Sequence, residues 1–439
     1  MSEPFPLLNT SADQLHNGDA SNTHKRRPRK SSALGTADIR AGDTGAPALA
    51  SSMASLNASE DQQKQSEAPS YAAVAGSKKR PSRRRRAGFF ARARQTMIKH
   101  TFVLPAIIAA LVLAAYAVNP TPSNPVRRFI FLSYKLPDQL DANGHVQYGK
   151  GPWDMAFVSF YTIVLSFTRE FVMQEMLRPI ARRAGLGKSK QARFMEQGYT
   201  AVYFSILGPL GMYVMSKSPV WYFNTRGMYE DFPHRTQNGL LKFYYLFQAA
   251  YWAQQAIVLI LGMEKPRKDF KELVGHHIVS LALIGLSYRF HFTYIGIAVY
   301  TTHDISDFFL ATSKTLNYLN HPITVPFYAL FIAVWVYLRH FINLKIIWSL
   351  FTEFTTVGPY ELNWETQQYK CPLSQAITAS LLISLQALNL FWLFYILRIA
   401  YRVLAHNVAK DDRSDDEDEV EEVDEKQANG HSVSNGTKR

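Results

Sequence analysis

HHIVSLALIGLSYRFHFTYIGIAVYTTHDISDFF, residues His276 to Phe309, sets two adjacent histidines in one apolar run and two aspartates, Asp304 and Asp307, in the next. Ionisable side chains at membrane depth are costly, so they mark function unless they are paired for structure. Counting fixes where the four residues sit. The first run starts near Leu273, which puts His276 and His277 roughly 5 Å inside that end at 1.5 Å per residue. The second starts near Phe292 at the opposite side and descends, so Asp304 and Asp307 lie about 18 and 22 Å down a core about 30 Å thick. A short turn around His291 makes the two helices antiparallel neighbours, and all four residues reach one depth.

Helical spacing refines this. Asp304 and Asp307 are three apart and share a face, and Tyr300 joins Asp304 four residues earlier. Ser280 follows His276 by four and His277 by three, on the same side. Successive residues point about 100° apart, so the two histidines aim differently. A helical zinc pair prefers histidines four apart, which disfavours a metal; one histidine with the two aspartates is the remaining metal arrangement. The bland reading is a set of interhelical hydrogen bonds holding a bundle together. The catalytic reading is acyl transfer. One imidazole, titrating near pH 6.5, takes a proton from an attacking amine, with an aspartate fixing its tautomer. Alternatively, a histidine attacks directly and forms an acyl-imidazole. The spacing does not separate these. His291, His303 and His340 have weaker claims.

Outward from this stretch, the chain of 439 residues is 13% aromatic, with 28 Phe and 23 Tyr. About eight runs are long enough to cross a bilayer at roughly 20 residues each: 102–118, 153–176, 197–216, 240–263, 273–290, 292–317, 325–351 and 376–404. Those carrying Arg169 and Glu170, Gln254 and Gln255, or Arg339 and His340 must turn these toward protein or an interface. The expected fold is all-α: a polytopic membrane protein whose bundle encloses an intramembrane site.

Nine Lys or Arg fall between Lys78 and Arg94, just before the first run, and predict a cytoplasmic N-terminus. The loops 177–196 and 264–272 then become cytoplasmic and hold six and four basic residues, against four, three and one in the longer opposite loops 119–152, 217–239 and 352–375. An even number of spans returns the C-terminus to the cytoplasm. The formal charge of +13 therefore reads as topology and anionic lipid rather than nucleic acid. No apolar core precedes residue 102, so no cleaved signal peptide is expected. Residues 1–100 read as a disordered basic tail and 101–150 as a first span with its lumenal loop. Residues 151–405 read as the catalytic bundle and 406–439 as an acidic tail, with eleven acids between Asp411 and Glu425. Ser414 in that tail suits an acid-directed kinase, and the sequons at Asn9, Asn57 and Asn435 would be cytoplasmic and unglycosylated. Cys371 is the only cysteine, expected as a free thiol.

Residues Arg267 to Leu319, with HH followed by HDISD, resemble the longevity-assurance motif of ceramide synthases within the TLC-domain family. Arg193-Phe194-Met195-Glu196 and Arg267-Lys268-Asp269-Phe270 add flanking matches, and the similarity spans roughly 150–405. The homeobox-like insert of many animal members is missing, and the charged tails look fungal. The resemblance implies an endoplasmic reticulum acyltransferase that joins a fatty acyl-CoA to the amine of sphinganine or phytosphingosine, with acyl-CoA as co-substrate and no bound cofactor. His276, His277, Asp304 and Asp307 match the family's required residues. Arg193, Arg267, Lys268, Tyr300 and Ser280 are candidate substrate contacts, the basic ones for CoA phosphates. Expected partners are membrane lipids, a small single-span accessory subunit, and a second copy or paralogue. Two non-enzymes compete: a TLC-fold protein that senses or translocates lipid, and a proton-coupled transporter. The second would show inverted repeats, which this chain lacks.

Overall fold

The computed structural model describes residues 100–141, 144–264 and 268–406. The basic cluster, the sequons, Ser414, the acidic tail and Arg267 lie outside the described residues. Helices dominate: α1 (Val103–Val118), α2 (Asp154–Phe171), α3 (Lys188–Ser216), α4 (Gly239–Ile260), α5 (Phe270–Arg289), α6 (Thr293–Tyr318), α7 (Thr324–Trp335), α8 (Asn343–Thr352) and α9 (Pro372–His406). Each apolar run from the sequence falls on one of these, with α7 and α8 forming a single helical segment. Helix α3 begins nine residues before the apolar run does, because Arg193, Phe194 and Met195 are buried within it. By length and apolar content, three segments suffice to cross a bilayer: Asp154–Arg183, Thr324–Thr352 and Pro372–Ala405; α1 is apolar but shorter. Of the other long helices, α4, α5 and α6 carry buried Gln, His or Asp among their apolar residues, and α3 carries a buried Arg with several Gly and Tyr.

Small antiparallel strands β1 (Lys135–Leu140), β2 (Val146–Tyr148) and β3 (Gln237–Asn238) pair in that order where α2 and α4 begin. Asn238 closes the sheet and starts α4, its side chain accepting from the Leu241 N–H at 2.8 Å. Next to this sheet lies a buried polar cluster. Lys242 Nζ, wholly buried, donates to the carbonyls of Ser133 (2.9 Å) and Gly149 (2.7 Å) and pairs with Asp154 Oδ1 at 2.7 Å. Tyr288 donates to Asp154 Oδ2 at 2.7 Å, so α2, α4 and α5 are tied at one end. Lys150 reaches the His234 carbonyl (3.1 Å) and His291 Nδ1 (3.2 Å). Burial and the Lys242 charge push Lys150 down to about 7, with Asp154 partly opposing. Burial likewise pushes His291 down to about 3 and His234 to about 4. His291, at φ 68°, makes the sharp turn that sets α5 and α6 antiparallel.

Candidate active site

A cavity runs between α5, α6 and α9, lined at the sheet end by Leu362, Trp364 and Tyr369. Its wall on α5 is the stripe His276, Ser280, Leu283, Ile284, Ser287 and Phe290, one helix face over about 21 Å. On α6 it is Phe292, Ile295, Gly296, Val299, Tyr300 and His303, again at steps of three and four. The lining is overwhelmingly apolar, with His276 and His303 among a few hydroxyl side chains.

His276 is 6% exposed and faces the cavity. Its ring stands edge-on to Trp252 (5.5 Å between centroids) and Trp392 (5.2 Å), and its Nδ1 has no hydrogen-bond partner. Trp392 is held in place by Asp269, which accepts from its indole N–H at 3.2 Å. His277 points about 100° away, as spacing requires, and its Nδ1 donates to the Leu273 carbonyl at 2.9 Å. It does not line the cavity.

The aspartates do not pair with these rings. No hydrogen bond or ion pair joins either of His276 and His277 to Asp304 or Asp307. Asp304, wholly buried, accepts from Tyr244 (2.8 Å) and Gln248 on α4, while Tyr203 on α3 donates to Gln248 at 3.2 Å. Asp307 accepts from Arg339 Nη2 at 2.5 Å. The expectation of an imidazole braced by a carboxylate is corrected here: each aspartate is committed to another helix. A shared metal is disfavoured by the same arrangement, and among the described residues no three His, Cys, Asp or Glu side chains are grouped to hold one.

Close helix packing makes the Asp304 contact reachable. A Cβ at Gly211 would stand 2.5 Å from the Tyr244 hydroxyl and 3.1 Å from Thr301 Oγ1, so only glycine lets α3 lie against the α4–α6 seam. Arg339 lies in a π-helical segment, Val336–Ile342, between α7 and α8. The wider turn there aims a buried guanidinium at α6, where it also donates to Ser306 Oγ (2.6 Å) and the His303 carbonyl (3.4 Å), and at Asn389 Oδ1 on α9 (3.1 Å).

Other expected contacts divide. Ser280 and Tyr300 line the cavity, and the Tyr300 hydroxyl has no partner. Lys268 is exposed at the start of α5. Arg193 is 6% exposed and pairs with Glu196 at 3.4 Å, so it does not present its charge to solvent. Arg169 is buried and bound to Glu170 and Glu264 at the same end as His276, and His340 is buried against Gln386. Sequence reasoning underrated His303 and missed Trp252, Trp392 and Asn389, whereas Arg339 stood out as a charge in an apolar run that had to turn toward protein or an interface, and it is buried.

Residues 193–398 match the TLC-domain family model. The chain is 52% identical over 75% of its length to a sphingosine N-acyltransferase-like protein, FUM17, of Gibberella moniliformis, covering 86% of that relative. It is 47% identical to the sphingosine N-acyltransferase lac1 of Schizosaccharomyces pombe over 77% of this chain and 88% of the relative. It is 44% identical to the ceramide synthase LAG1 of Saccharomyces cerevisiae over 90% of this chain and 94% of the relative. A helical bundle with a histidine facing an apolar cavity, and identity at this level across most of each relative, lead to one conclusion: this chain belongs to the TLC-domain ceramide synthases.

Proposed function

We propose that this protein is a sphingoid base N-acyltransferase, which transfers a fatty acyl group from CoA to the amine of sphinganine or phytosphingosine at His276. The observation that carries the reading is the unpartnered His276 imidazole at one end of an apolar slot about 21 Å long. A thioester carbonyl set beside that ring leaves the acyl chain to extend along α5 and α6, while the polyanionic CoA stays outside. His276, with its Nδ1 unpartnered on the cavity wall, is assigned as the nucleophile. The neutral ring attacks the thioester, the carbonyl carbon–nitrogen bond forms, the carbon–sulfur bond breaks, and CoA leaves as the thiol with the imidazole proton. His277 flanks the Trp252 ring and steadies the turn that carries His276. Asp304 and Asp307 serve by holding α6 to α4 and to Arg339.

We assign the remaining architecture on the same basis: about eight spans, both termini cytoplasmic, in the endoplasmic reticulum membrane, with residues 151–405 forming the catalytic bundle. Exposed lysines such as Lys188, Lys190 and Lys268 lie on the His276 side, where CoA phosphates would arrive. A single-span accessory subunit and a second copy or paralogue complete the proposed assembly.

The test is purified protein with labelled sphinganine and acyl-CoA, unsubstituted and as His276→Ala. Ceramide formation that disappears in the variant, with unchanged expression and thermal stability, is expected. A fully active His276→Ala protein overturns the assignment, and an inactive unsubstituted protein that binds both lipids favours the non-catalytic reading.

A further inference from the structure

We infer that His303 is the general base of the reaction, taking the proton from the sphingoid amine as it attacks the acyl group. This rests on the acyl-transfer reading of His276 and extends it to a residue that reading does not use. Among the described residues lining the cavity, His276 and His303 are the only side chains with an imidazole nitrogen, and His303 is 5% exposed. Its tautomer is set by the fold. Nδ1 lies 2.8 Å from the Val299 carbonyl, which can only accept, so Nδ1 carries the hydrogen and Nε2 the lone pair. The Asn389 amide nitrogen approaches Nε2 at 3.4 Å, and Arg339 holds the Asn389 oxygen at 3.1 Å, which turns the amide's donor end toward the ring. That contact is long, so it leaves the Nε2 lone pair weakly occupied and open to the N–H of an incoming amine. The other basic groups nearby lie off the cavity: His277, Asp304 and Asp307 do not line it, Asp304 Oδ2 accepts from Tyr244 and Gln248, and Asp307 is paired with Arg339.

The step balances as follows. The neutral amine nitrogen bonds to the acyl carbonyl carbon, and the bond from that carbon to the His276 ring nitrogen breaks. The amine proton passes to His303 Nε2 and then to the freed His276 nitrogen, leaving an amide and two neutral imidazoles.

The test compares His303→Gln with unsubstituted enzyme in two half-reactions. Acyl-CoA alone should release CoA in a burst stoichiometric with enzyme in both proteins, within about threefold in rate. Steady-state ceramide formation should fall about 100-fold or more in the variant, the usual worth of a positioned base, with the acyl-CoA KM unchanged. Hydroxylamine, whose nitrogen is largely unprotonated near neutral pH, should discharge both acyl-enzymes at similar rates. His303→Asn, whose amide can keep the bond to Val299, is the second variant and should behave alike. Undiminished ceramide formation, or loss of burst and turnover in equal proportion, overturns the assignment. Absence of a burst in the unsubstituted enzyme overturns the covalent reading at His276 instead, and the base assignment then stands or falls on the turnover ratio and on whether the pH limb of kcat disappears with His303.

Discussion

Arg339→Met should be the most damaging single change in the bundle that touches no substrate. The guanidinium is 2% exposed, donates to Asp307, Ser306, Asn389 and the His303 carbonyl, and lies 4.1 Å over the Trp335 ring. Methionine keeps most of the volume but strands the Asp307 carboxylate in a low-dielectric interior. Removing one partner of a buried ion pair costs about 3–5 kcal/mol, whereas an ordinary interhelical hydrogen bond within a bilayer averages about 0.6 kcal/mol. At roughly 2–4 °C per kcal/mol for a large domain, the two cases predict a Tm lower by about 6–20 °C or by about 1–2 °C. The assay is thermal unfolding in detergent of Arg339→Met, Asp307→Asn and the double variant. Asp307→Asn leaves the opposite charge unpaired and should cost a similar amount. The double variant removes both charges and should recover at least about 2 kcal/mol relative to additivity. Additive losses, with a coupling below about 0.5 kcal/mol, would refute the claim that this pair is a buried tie between α6 and the π-helical segment.

Four further outcomes follow from the same contacts. His277→Ala should lower turnover less than His276→Ala does, because only His276 faces the cavity; equal loss of kcat at matched stability would contradict that division. Gly211→Ala should destabilise by about 1–3 kcal/mol, since the added methyl forces Tyr244 off Asp304; an unchanged unfolding midpoint would count against the packing account. Replacing Lys188, Lys190 and Lys268 together by serine should raise the acyl-CoA KM roughly tenfold at low salt and much less at high salt, and a salt-independent KM would remove the phosphate role. For Lys150, with a folded pKa of about 7 against an ordinary 10.5, the unfolded chain binds more protons between those values, so stability should rise with pH across that window at up to roughly 1.4 kcal/mol per unit. Lys150→Met should flatten that slope in a pH series of melting curves, and an unaltered slope would sink the attribution.

Much of the helical layout was legible because apolar runs of bilayer length are a strong signal, and the turn at His291 was readable from the gap between two of them. The common depth of His276 and the HDISD segment followed from counting alone. Partner choice was not legible. Asp304 finds Tyr244 and Gln248, some 56–60 residues earlier, and Asp307 finds Arg339, 32 residues later. Those contacts depend on α3 packing through Gly211 and on a π-helical turn around Arg339, neither of which an apolar periodicity encodes. His303 looked like one more core histidine because one wall of the cavity it faces is supplied by α9, about 70–80 residues away in sequence. The basic residues near the His276 end also divided in a way composition hides: Lys188 and Lys190 are exposed, while Arg193, three residues on, is turned inward to Glu196.

The polar groups that join the helices differ in position from those that line the cavity. Asp154, Asp307 and Arg339 spend their hydrogen bonds on neighbouring helices, and each such tie restricts how α2, α4, α6 and the π-helical segment can move. His276 Nδ1 and the Tyr300 hydroxyl are buried and unpartnered on the cavity wall. An unsatisfied buried polar atom costs about 1–3 kcal/mol, so two on one wall are a standing cost that a carbonyl or amine brought into the slot would relieve. Rigid carboxylates then matter to the reaction at one remove. They fix α6, α6 sets the separation of His303 from His276, and that separation decides whether one ring can serve the amine while the other carries the acyl group.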